Sequence, residues 1–398
     1  MLFFVRSAYL HGKNAMTGLD EKTCLCALNR ALGYQPVLGH RLLEYFGTAS
    51  AVLTQPRSIL QDALGSHRDL ADALGPEAVT WAEGELERVR DGGFRFIGID
   101  EEDYPALLRE CPDPPLGLYY NACTPPTTVF DLHPCIAVVG TRDLDAYGKE
   151  WCRKLVQTMA QAATPPAIIS GLAFGADAVA HRTALEQGLG TVGVMATGIE
   201  RIYPWQHTDL AAGIVRTPGC AVVTDYPMGS APVALNFMRR NRIIAGLARA
   251  TVVIESKTKG GSLITARYAT EYNRDVYALP GKADDLRSQG CNFLIRQRMA
   301  DIVTDPDDLV ERLGLGRKAR RPRKDDLETL LTRRYGPGSP LAALGLLVGR
   351  RRGISYEEIC RETGWSWTEV AGKAAILESD GFLTTDLLQR CTIQVKNV

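Results

Sequence analysis

The sequence predicts an α/β fold. We expect a Rossmann-like, doubly wound, mostly parallel sheet, with an N-terminal helical domain and a C-terminal winged-helix domain. Three observations predict it. Between residues 136 and 304, short apolar runs alternate with helical segments. A turn follows each run, several of them rich in glycine. Before that stretch residues 17–75 read as helices, and the last part of the chain has helix-turn-helix grammar. Apolar strands separated by helices build a parallel sheet covered on both faces.

The elements follow in order. Residues 1–16 are a tail and 17–75 a helical domain, SAM-like or helix-hairpin-helix-like. There "EKTCLCALNRALG" and "PVLGHRLLEYFGTASAVL" place apolar residues at helical spacing between glycine breaks. Residues 76–131 read as a connector that packs on the core. It holds a short strand, a helix start at Tyr104-Pro105, and extended chain into Leu118-Tyr119-Tyr120. The Rossmann-like domain spans 132–310. Its expected strands are 136–140, 167–171, 192–196, 220–224, 251–255 and 276–279, with helices at 147–162, 176–187, 239–248 and 262–273. A basic linker covers 311–326, with six basic side chains among the eight residues Arg317–Lys324. Residues 327–398 read as helix, turn at Gly364, helix, turn at Gly381, then strands.

Bulk numbers exclude several classes. The 398 residues are 45% apolar, ordinary for a globular chain of two or three domains. No apolar run has the length of a membrane helix. The N-terminal stretch lacks a basic segment followed by a long apolar one, so no signal peptide is read and a cytoplasmic location is expected. Ten cysteines and six histidines are scattered, without CxxC or HExxH, so neither a metal site nor a disulfide framework is expected. Formal net charge is zero, so any attraction for nucleic acid must be local. Local charge exists in Arg239, Arg240 and Arg242, in the linker, and in Arg350-Arg351-Arg352.

Ligands of such sheets bind beyond the carboxyl ends of the strands. Those turns contain Gly140-Thr141-Arg142, then "SGLAFGADAVAH" with Ser170, Gly171, Gly175 and Asp177, then Thr197-Gly198 with Tyr203-Pro204 beyond, then "SKTKGGSLITA", and last Pro280-Gly281. Glycines there let backbone N–H groups approach an anion at helix N-termini. Ser262 would cap a helix or touch a phosphate. Arg142, Arg239, Arg240, Arg242 and Lys259 add charge on the same rim. An ordinary strand-to-helix turn explains any single glycine; five converging turns favour a phosphate-binding surface. Walker and dinucleotide fingerprints are both missing. Asp177 and His181 lie four apart, as an acid–base pair would. A helix N-terminal acid with its i+4 partner is the commoner arrangement.

Together these motifs are familiar. Gly140-Thr141-Arg142, "SGLAFGADAVAH", "ATGIERIYP", "FMRRNRIIAGL", "KGGSLITA", Pro280-Gly281 and "GCNFLI" resemble the DNA-processing protein A family, also called Smf. The upstream "YPALL" and "DPPLGLYYNA" match its connector. The resemblance runs over roughly 92–304. It implies a protein that binds and protects single-stranded DNA, helps deliver RecA recombinase onto it in natural transformation, and forms homodimers through its Rossmann-like domain. It implies no catalysis and no cofactor. Carried over by residue, Arg142, Phe237, Arg240, Asn241, Arg242, Gly261 and Ser262 match family motif positions. Met238 stands where the family has Pro, and Thr141 where many members have Ser. Trp205-Gln206-His207 occupy a place where a basic residue is frequent. Trp205 is either a base-stacking platform or a packed surface tryptophan. Asn241 is expected to fix a loop.

Two other classes stay open. A nucleotide hydrolase with a "PGGxGTxxE" motif would need a Glu three residues after Thr265, where this chain has Tyr268. A transcription regulator would read DNA with "WSWTEVAGKAAILES", whose one Lys and two Glu suit a major groove poorly.

Overall fold

A computed structural model describes residues 18–316, 327–351, 353–386 and 389–393. The tail, Arg317–Lys324 and Arg352 lie outside the described residues. The chain divides into two compact units on either side of residue 317.

The first unit is built on nine strands. They are β1 (Arg95–Gly98), β2 (Gly117–Asn121), β3 (Cys135–Val139), β4 (Ala167–Ser170), β5 (Thr191–Val194), β6 (Ala221–Thr224), β7 (Ala250–Val253), β8 (Asp275–Ala278) and β9 (Asp301–Ile302). The order is β1-β2-β6-β5-β4-β3-β7-β8-β9. From β6 to β9 every pair is parallel, joined by helical crossovers. The connector strands β1 and β2 add to one edge antiparallel. The mixed, mostly parallel sheet is therefore the expected one. The winding reverses between β3 and β7, where a doubly wound sheet opens its crevice.

The alternation of strand residues sets the two faces. Ala137, Val139, Ile169 and Val253 enter one buried cluster with helices 234–247 and 261–271. That cluster continues without a break into Leu25 and Leu28 of helix Glu21–Leu32 and into Phe96 and Tyr119 of β1 and β2. Ile136, Val138, Ile168 and Val252 enter the other cluster, with helices Ala146–Ala160, Ala176–Glu186 and Pro306–Arg312. Eight of the ten cysteines are buried, and burial pushes Cys24 and Cys26 up to about 12, so they pack as small apolar groups.

The second unit has helices Leu327–Tyr335, Pro340–Arg350, Tyr356–Thr363 and Trp367–Ser379, with three short antiparallel strands. Gly364 ends the third helix in the left-handed region at φ 72°. Ser355–Glu358 and Ser366–Glu369 form capping boxes that start the last two helices.

No described helix is long and apolar enough to cross a membrane. Among the described residues no cluster of His, Cys, Asp or Glu is arranged to hold a metal.

Candidate functional site

The carboxyl rim of the sheet carries an exposed cation, Arg142, set among aromatic rings. Arg142 follows β3, and its loop is pinned from two sides. The Thr141 N–H donates to the Glu255 carbonyl beyond β7 at 2.7 Å. Gly175, at φ +74°, lies so close that a Cβ there would sit 2.2 Å from the Thr141 carbonyl oxygen. Only glycine satisfies both demands. Arg142 is exposed and makes no ion pair among the described residues. Its guanidinium stands 5.2 Å over the Phe237 ring. Phe237 in turn meets Tyr203 at 5.4 Å between centroids. Phe174 and Trp205 are exposed on neighbouring loops.

The opposite holds for two arginines that the sequence placed on this rim. Arg240 is 4% exposed and donates to the carbonyls of Gly171, at 2.7 Å, and Val194. It ties the ends of β4 and β5 together. Burial depresses it to about 10, Asp177 opposes that shift, and it stays charged at neutral pH. Arg242 is 5% exposed, pairs with Asp225 at 2.7 Å, and donates to the Asp113 carbonyl. Burial works against its charge, yet Asp225 and Asp113 more than offset this and hold it above the usual arginine value. The expectation that Arg240 and Arg242 add charge on the rim is thus corrected. The repulsion among them is relieved by internal acceptors, which a sequence does not display. Arg239 is half-buried and keeps a partial outlook: it donates to the Tyr34 carbonyl at 2.6 Å and lies 4.4 Å over that ring.

The small residues divide in the same way. Ser170 is buried and donates to the Val138 carbonyl at 2.6 Å, so its hydroxyl hydrogen is not free for a ligand. A Cβ on Gly171 would lie 2.6 Å from Arg240, and one on Gly140 would lie 2.7 Å from the Ala176 Cβ. These glycines make room for protein atoms, not for a ligand. Ser262 is buried and donates to the Ser256 hydroxyl at 2.8 Å. Asn241 donates to the Gly261 carbonyl at 3.2 Å, bracing that loop. Gly261 and Lys259 are exposed, with open space where a Gly261 Cβ would stand.

Asp177 and His181 do not pair. Asp177 accepts from the Gly171 and Ala173 N–H groups at 3.1 and 3.2 Å. His181 bonds Thr191 at 2.7 Å, and burial depresses it to about 3, so it is neutral. One acid was missed by sequence reasoning. Glu255, 1% exposed at the β3–β7 crevice, is pushed up to about 7 by burial and by the neighbouring Asp145 carboxyl. It ends the expected strand 251–255, where an acid closing an apolar run was the available signal. Phe174 and Tyr203 also lay inside quoted motifs. Tyr34 did not, because only tertiary packing brings it to the rim.

The fold and this rim define a Rossmann-like α/β protein whose open edge presents cations and aromatic rings. Residues 95–314 match the family described as DNA recombination-mediator protein A. The chain is 35% identical over 296 residues to Protein Smf of Synechocystis sp., covering 74% of this chain and 73% of that one. It is 37% identical over 219 residues to the DNA processing protein DprA of Streptococcus pneumoniae, covering 54% and 73%. The X-ray structure of DNA processing protein A from Streptococcus pneumoniae superposes with a TM-score of 0.63 at 30% identity, covering 74% of this chain and 98% of that one. The chain belongs to the DNA recombination-mediator protein A family.

Proposed function

We propose that the rim binds single-stranded DNA without sequence preference, shields it, and helps load RecA recombinase during natural transformation. The carrying observation is Arg142: exposed, outside any ion pair among the described residues, and 5.2 Å over Phe237, which abuts Tyr203. A cation beside aromatic faces suits a strand that offers phosphates and unstacked bases together. A duplex hides its base faces from such rings. The protein acts as a binder, not a catalyst, in the cytoplasm, and as a homodimer through this unit. Glu255 is too enclosed to reach a substrate. The position that would carry a hydrolase glutamate is Tyr268, whose ring stacks on Tyr272 at 5.9 Å.

The test is a titration with single- and double-stranded oligonucleotides of one sequence at several salt concentrations. Single-strand affinity should be the higher and should fall with salt, by about 0.7 in log–log slope per phosphate neutralised. Equal duplex affinity, or insensitivity to salt, refutes the reading. RecA filament formation on a coated strand, with and without this protein, tests the loading step.

A further inference from the structure

The loop from Thr197 to His207 displays its tryptophan in an unusual way. Its frame is rigid. Ile199 is buried, the Thr197 hydroxyl donates to the Arg201 carbonyl at 2.6 Å, and His207 is buried with Nδ1 2.7 Å from the Leu172 carbonyl. Trp205 sits in the short helical turn Trp205–His207 that ends this frame, yet it is 75% exposed. A tryptophan there for packing would be covered. Of the two sequence readings, the packed one is therefore excluded.

Its surroundings point to one occupant. Two residues before it, Tyr203 is 43% exposed and touches Phe237, which lies beneath Arg142. Two residues after it, the His207 ring meets Phe174, itself 42% exposed, at 4.9 Å. Arg201, in the same loop, is exposed and in no ion pair among the described residues. Exposed rings with arginines beside them suit a single strand, which offers bases and phosphates together. The turn's backbone is anchored and an indole has only two χ angles, so Trp205 loses little freedom on stacking.

We propose that Trp205 is a second base-stacking subsite. It extends the strand's path from Arg142 and Phe237 across Tyr203 toward the β5 side of the rim. This rests on the single-strand reading of the rim.

The experiment compares the native protein with Trp205→Ala, Trp205→Phe and Arg142→Ala. Each is titrated with a single-stranded oligonucleotide and with a base-free strand of the same length made of abasic units. Trp205→Ala should lose roughly tenfold in affinity for the base-bearing strand, the range expected for one stacked base. Trp205→Phe should recover most of it. The salt slope should not change, since no charge is removed. On the base-free strand, native protein and Trp205→Ala should bind alike. Native affinity of Trp205→Ala for the base-bearing strand overturns the subsite, as does an equal loss on the base-free strand. If Arg142→Ala is weakened while Trp205→Ala is not, the subsite fails and the rim reading stands. If neither is weakened, the rim reading itself fails. Circular dichroism of each variant establishes that it is folded.

Discussion

The first turn of helix Ala234–Leu247 and the turns that follow use their side chains in opposite senses. Leu235 and Met238, with Val233 just before them, are each nearly half exposed. Arg240 and Arg242 are buried. Apolar groups face outward and charges inward, the reverse of an ordinary surface helix. Buried charge is tolerated only where partners exist, and here they do: Asp225 for Arg242, strand-end carbonyls and Asp177 for Arg240. The two arginines work as internal ties between strand ends. The outward face is left to Arg142 and to the rings around it. Charge in a sequence marks importance; only its partners tell which side it faces.

The sharpest way to break this comparison is Arg242→Ala. It leaves the Asp225 carboxylate buried without its cation and should cost about 3–5 kcal/mol. Denaturant unfolding measures it. A variant as stable as the native protein would show that Arg242 is not an internal tie. Arg142→Ala should give the contrasting result, with unchanged unfolding, because its side chain is exposed and in no ion pair among the described residues.

The same Arg142→Ala protein supplies the next effect. One charge-assisted contact is worth about 1.5–3 kcal/mol, so single-strand affinity should fall about tenfold or more. The log–log salt slope should shrink by about 0.7. Full affinity in the folded variant would remove Arg142 from the site.

These two outcomes bear on what the sequence could disclose. All six expected strands and the four expected helices of the parallel region exist, displaced by a few residues at their ends. Apolar alternation is local and survives translation into structure. The rim was legible as a set of turns, but not as a set of directions. Ser170 and Arg240 looked like ligand contacts because their partners, Val138 and Val194, are carbonyls on other strands. Backbone acceptors carry no residue signature. The antiparallel edge was also hidden, since β2 pairs with β6 from a hundred residues away.

Glu255 sharpens the comparison from the acid side. It is buried with no cation partner among the described residues, and its Oε2 accepts from the Asp145 N–H at 3.3 Å. Burial comes first, and the Asp145 carboxyl second, in raising it from 4.5 to about 7. The folded state therefore holds a proton that the unfolded chain releases near pH 4.5. Stability from this group is complete below that pH and is lost as pH rises through about 7. Glu255→Gln stays neutral throughout. Its melting temperature relative to native should climb between those two values and level off above them. A difference that does not vary with pH would mean that Glu255 is ionised in the fold.

The smallest effect belongs to the second unit. Its last long helix, Trp367–Ser379, has its charges engaged. Glu369 completes a capping box, Glu378 accepts from the Thr385 N–H at 3.0 Å, and Lys373 lies 4.5 Å over the Trp365 ring. That leaves little cation for a phosphate. The first unit, by contrast, is closed by residue 316. Leu313 and Leu315 are buried in its core, and the carbonyls of Leu315 and Gly316 accept from Thr164 and Ala163. A chain ending at residue 316 keeps those bonds, so it should melt as one unit and keep most single-strand affinity. Ending instead at Lys324 restores the six basic linker residues without the helices. Their long-range attraction is screened within about 8 Å at physiological salt, so the longer chain should bind only slightly better, and only at low salt. Fluorescence anisotropy of both chains and of the full protein measures the difference. If both truncated chains fold but bind no better than an unrelated protein, the second unit holds the DNA, and the exposed rings and Arg142 of the rim must serve another ligand.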